Sequence, residues 1–139
     1  MDPITPEYKK NITEKIALVS AEAWGRLFDL GRYARNKKAL VSAAYIPFQE
    51  ETEHVMSIKK MLYDLELVEP FDWPEWDEGR ELLNDPSKEV LKAQDLPVLF
   101  ALLIALVRND RFCEGAWGCA VGDGTVSDIL DAIEDRLEL

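Results

Sequence analysis

Ten consecutive apolar residues, Val98-Leu99-Phe100-Ala101-Leu102-Leu103-Ile104-Ala105-Leu106-Val107, constrain this chain more than any other feature. A helix carrying them is apolar on every side, so no face of it can be left to water. At about 1.5 Å per residue it covers roughly half of a bilayer's hydrocarbon core, too little for a membrane span. It is expected instead to be the buried centre of a fold, beginning at Asp95-Leu96-Pro97 and reaching Arg108. Everything else in the chain has to supply its cover.

The flanking segments read as amphipathic helices. After Pro6, apolar residues recur at Ile12, Ile16, Val19, Ala23, Leu27 and Leu30, a spacing of three and four that paints one helical face. Gly31 is the expected stop. Residues 39–47 fit a short helix or an extended connector, and Pro47 disfavours helix for Ile46. A second helix is expected from Pro47 to about Leu65, with Val55, Ile58, Met61 (or Leu62) and Leu65 inward and Glu50, Glu51, Lys59 and Lys60 outward. Asp72-Trp73-Pro74-Glu75 reads as the start of a third, with Asp72 as N-cap and Glu75 completing a capping box. Asp85-Pro86 opens a short fourth. Beyond the central fifth helix, Phe112 to Gly122 reads as a sixth, and Gly124 followed by Thr125-Val126-Ser127-Asp128 starts the last. That last helix carries Val126, Ile129, Leu130, Ile133 and Leu137 as an apolar stripe. No segment alternates as a strand does. The expected fold is all-α, a single-domain bundle of about six helices over residues 1–139, built around the buried helix at 95–108.

Charge excludes several functions. The chain has 16 basic and 27 acidic side chains, a net charge of −11. Such a balance argues against direct nucleic-acid binding and against docking on anionic membrane. The basic residues Arg32, Arg35, Lys37 and Lys38 form one cluster that runs against this trend. Residues 1–60 hold ten basic against eight acidic side chains, and residues 61–139 hold six against nineteen. A mildly positive segment therefore precedes a strongly negative one, which can be neutralised by packing inside the chain or can steer a partner. The acidic, proline-punctuated start has no signal-peptide pattern, so a cytoplasmic location is expected.

Two segments stand out chemically. Pro70-Phe71-Asp72-Trp73-Pro74-Glu75-Trp76 places two tryptophans three apart, on one side of the expected helix. Arg108-Asn109-Asp110-Arg111-Phe112-Cys113-Glu114-Gly115 ends the buried helix. Together the patterns F-D-W-x-x-W and R-x-x-R-F-C-E-G, over about residues 46–137, resemble a prokaryotic family of small domains of unknown function. Relatives in that family often carry a histidine where this chain has Ala116. The resemblance implies a domain type and no assigned activity.

Asp72, Trp73, Trp76, Arg108, Arg111 and Glu114 are the candidate ligand-binding residues. Arginine forks pair with carboxylates or phosphates, and tryptophan faces can stack a planar group. The same residues also fit a salt-bridge staple with the indoles filling the core. Cys113 beside Arg111 has the makings of a nucleophile, but the single histidine, His54, is far away in sequence. Glu50 and His54 supply too few ligands for zinc, and the spacing of Cys113 and Cys119 matches no metal pattern. Gly122-Asp123-Gly124-Thr125 lacks the preceding strand and the lysine of a phosphate loop and fits a helix cap. Asp128, Asp131, Glu134, Asp135 and Glu138 form the wet face of the last helix.

No catalytic residue, metal or cofactor is therefore expected. The leading expectation is a non-enzymatic protein-interaction or regulatory module with a protein partner or a second copy as a homodimer. One form of it is an acidic decoy occupying the nucleic-acid surface of another protein. The alternative is a small-anion or enzymatic pocket built from Trp73, Trp76, Arg108, Arg111 and Glu114.

Overall fold

The computed structural model describes residues 3–41, 57–84, 88–109, 116–122 and 124–137. Among them there are helices and no strand, the all-α fold expected of the sequence. Helix α1 spans Pro6–Leu18 and α2 spans Ala21–Val41. Residues 57–64 form α3, Asp77–Asn84 α4, Lys88–Lys92 α5, Leu96–Asn109 α6, Ala116–Gly122 α7 and Thr125–Leu137 α8.

The single first helix expected after Pro6 is in fact two. Thr5 caps α1, its hydroxyl accepting from the Tyr8 backbone N–H at 3.1 Å, with proline in the first turn. The chain turns extended at Val19, and the Ser20 hydroxyl accepts from Ala23 N–H at 3.1 Å to start α2. The apolar spacing runs through this break, which is why periodicity alone joins the two segments. Gly31, expected to stop the helix, lies inside α2. There it is the crossing point with α8: the Ser127 hydroxyl donates to the Gly31 carbonyl at 2.9 Å, both groups buried. A Cβ at position 31 would come within 2.9 Å of a Leu130 methyl.

Helix α6 is the centre, as its composition demands. Asp95 caps it, accepting from Val98 N–H at 3.3 Å, and residues 99–105 and Val107 are all buried. Helices α1, α4, α7 and α8 pack around it. Trp24 of α2 reaches the same core and stacks on Phe28, ring centroids 5.8 Å apart, while tilting against Phe100 at 5.9 Å. The α8 stripe of Val126, Ile129, Leu130 and Ile133 is wholly buried against α2, α5, α6 and α7, with Leu137 at its edge.

The end of α3 shows how a covering helix is closed. Ile58 and Leu62 are buried, Met61 and Leu65 partly so, and Lys60 faces water, paired with Asp64 at 2.8 Å. Lys59, expected outside, is half-buried. Leu67 N–H returns to the Leu62 carbonyl at 2.9 Å and Glu66 N–H to Tyr63 at 3.0 Å, a Schellman closure with Glu66 at φ 58°. The expected inward Val55 and the start at Pro47 lie outside the described residues.

Candidate functional site

The aromatic turn after α3 is held by rings. Phe71 sits between Tyr8 of α1, at 5.0 Å, and Trp76, at 5.6 Å in an edge-to-face arrangement. Tyr8 is itself fixed: its hydroxyl donates to the Pro97 carbonyl at 2.8 Å in the first turn of α6. Burial is the main reason its phenol is pushed well above the ordinary tyrosine range, with Glu69 and Asp95 adding to the effect.

These contacts override the capping box expected at Asp72. Asp72 has ψ 67° and makes no side-chain cap bond, Trp73–Glu75 forms only a 3-10 turn, and the α-helix begins at Asp77. The two indoles therefore do not share a helical face. Trp76, 3% exposed, belongs to the core, whereas Trp73 is half-buried. The ring of Trp76 lies so close over Gly79 that a Cβ there would fall inside it.

Both indoles nevertheless meet at one place. A cleft of about 210 Å³ opens between α4 and α6, lined by Trp73, Trp76, Gly79, Arg80, Leu83, Ala105, Leu106 and Asn109. Arg80 is the charged member of this lining among the described residues. Its guanidinium donates to Asp77 at 3.1 Å and to the Pro74 carbonyl, which folds it back over the turn. Sequence reasoning missed Arg80 and Asn109. The available signal was spacing, since Trp76, Arg80 and Leu83 recur at three and four on the α4 side, but nothing local brings α4 to α6.

Of the other candidate site residues, Asp72 is exposed and outside the cleft lining. Arg108 is half-buried in the last turn of α6, beside the cleft, and makes no ion pair with another described residue. Arg111, Glu114 and Cys113 lie outside the described residues, as do Glu50, His54 and Asp123. Arg32 of the basic cluster is committed within the fold, pairing with Asp29 and with Glu134 of α8, each at 2.9 Å. Those hydrogen bonds, first to Asp29 and then to Glu134, hold its guanidinium above the ordinary arginine range. The side chains of Arg35, Lys37 and Lys38 are outside the described set.

A second, smaller depression of about 150 Å³ is lined by Lys92 with Asp128, Asp131, Glu134 and Asp135. Lys92 pairs with Asp135 at 3.3 Å. Gly124 takes φ 91° and its carbonyl accepts from Asp128 N–H at 2.9 Å, the geometry of a helix start. Among the described residues no group of three or more His, Cys, Asp or Glu is placed to hold a metal ion. None of their helices is long and apolar enough to cross a membrane.

Comparison with known families finds one match, covering residues 19–138. The chain belongs to a family of unknown function, DUF6508. The DUF6508 match begins at the α1–α2 junction, well before residue 46, where the sequence motifs alone had placed the resemblance. It takes in every described residue of the cleft lining, while α1 precedes it. No curated protein and no solved structure matches the chain.

Proposed function

We propose that the protein is a non-enzymatic interaction module whose α4–α6 cleft receives one apolar side chain of a protein partner. The observation that carries this reading is the cleft's size and lining: about 210 Å³ beside the half-buried Trp73. Pockets that enclose a drug-sized ligand run to roughly 300–1,000 Å³. A smaller cleft with an aromatic wall suits a single anchoring side chain, the arrangement from which interfaces draw most of their binding energy. The described lining also favours binding over catalysis, because its indole, carboxamide and guanidinium groups do not exchange protons near neutral pH.

A different protein is a better partner than a second copy. The apolar stripe of α8, a surface that self-association would use, is already covered within the chain. The acidic-decoy form of the reading draws on the net charge of −11 and on the acidic residues lining the depression at α8.

The test is a random-peptide display selection against the folded protein, counter-screened with Leu83→Trp, which fills the cleft. Enriched peptides should carry an aromatic or large aliphatic residue and bind the parent but not the variant, with the variant's melting temperature within a few degrees of the parent. Peptides that bind both equally would place the interaction elsewhere.

A further inference from the structure

We propose that the residue entering the cleft is anionic as well as apolar: the C-terminal residue of a partner chain, its side chain against Trp73 and its terminal carboxylate on Arg80. This deepens, and rests on, the reading of the cleft as a side-chain receptor. The protein carries 27 acidic side chains against 16 basic, yet among the described residues no carboxylate lines the cleft and the charged lining group is Arg80. A concave site of opposite sign to its own protein selects for an anion.

The guanidinium has donors to give. It offers five N–H groups, and the bonds to Asp77 and to Pro74 leave others directed elsewhere. Asp77 lies outside the lining, so an incoming carboxylate can compete for the fork without displacing a wall of the cleft. Asn109 adds a carboxamide donor to the lining, and Arg108, without an ion pair among the described residues, raises the positive potential at the same end of α6. The apolar floor of Leu83, Ala105 and Leu106 takes the side chain. A terminal residue presents both features on one Cα. A free small acid is a poorer occupant, because a small molecule relies on enclosure of most of its surface and this cleft is open and small.

N-acetylphenylalanine and its carboxamide differ in the carboxylate alone, and their titration, followed by tryptophan emission, isolates it. The acid should bind about tenfold more tightly, as expected for a charge-assisted hydrogen bond at a partly exposed site. Arg80→Gln should abolish that preference, so that the acid and the carboxamide bind alike. Asp77→Asn, which frees the guanidinium from its competitor, should widen the preference, a gain that damage to the fold does not produce. Equal affinity of the two probes would overturn the inference and leave the side-chain receptor standing. Saturable binding of neither would overturn both. Phenylacetate binding as tightly as N-acetylphenylalanine would overturn the assignment to a chain terminus in favour of a free acid.

Discussion

Two helical glycines, Gly79 and Gly25, make opposite demands. Replacing glycine by alanine inside a helix gains up to about 1 kcal/mol from propensity and chain entropy. At Gly25 nothing lies within 4 Å of the added Cβ, so Gly25→Ala should raise stability by about that amount. At Gly79 the new atom would fall inside the Trp76 ring, and displacing a buried indole outweighs the propensity gain. Gly79→Ala should cost about 2 kcal/mol or more in urea unfolding and should distort the cleft. A stabilised Gly79→Ala protein would show that Trp76 moves freely. Tyr8 makes a pH-dependent contribution of known sign. Its phenol is raised above the ordinary value of 10.0, so the unfolded chain releases the proton first. The stability it contributes is complete below about pH 10 and declines above it, by up to about 1.4 kcal/mol per pH unit. Tyr8→Phe lacks that component, and the two proteins should converge in unfolding midpoint as pH rises from 9 to 11. Parallel profiles would contradict the assignment.

Helix ends show where a one-dimensional pattern stops being informative. The bounds of α6 were legible because an all-round apolar run preceded by Asp95 admits one reading. The junction at Val19-Ser20 was not, because apolar spacing continues across it and only the Ser20 cap marks the change. The Asp72 capping box was a local match defeated by non-local packing: Phe71, held between Tyr8 and Trp76, sets the direction of the chain before Asp72 can cap. The cleft was half legible for the same reason. The tryptophan pair stands out in the sequence, but Arg80 and Asn109 join it only through the meeting of α4 with α6. The close of α3 offers a direct test of helix-end energetics. Glu66 occupies the left-handed position that glycine fills at no steric cost, and its carboxylate pairs with Lys15 at 3.1 Å with both groups substantially exposed. Relief of backbone strain is worth about 1 kcal/mol and the exposed pair less. Glu66→Gly should therefore raise the urea midpoint slightly, and a clear loss would make the Lys15 pair the stronger term.

Across the whole molecule, the division between a positive N-terminal and a negative C-terminal segment is partly consumed in folding. Lys15–Glu66 and Arg32–Glu134 each join a base from the first segment to an acid from the second. The remaining net charge of −11 still repels itself. Exposed pairs of this kind contribute little, so screening should help more than it harms. The melting temperature should rise between low salt and about 0.5 M sodium chloride, where the Debye length falls to a few ångströms. A fall would mean that cross-segment pairs outweigh the repulsion.

The placement of α1 bears on how this fold is inherited. The segment shared with DUF6508 starts at residue 19, yet the buried Tyr8 and Ile12 belong to the helix before it, which packs on α6, and the buried Ile4 lies just ahead of that helix. The shared region and the complete hydrophobic unit are thus different stretches of chain. A family member with no counterpart of α1 must clothe that side of α6 in another way, with a borrowed segment, a partner subunit or polar substitutions on the uncovered face. The composition of that one face across the family would distinguish lineages that acquired the N-terminal helix from those that lost it.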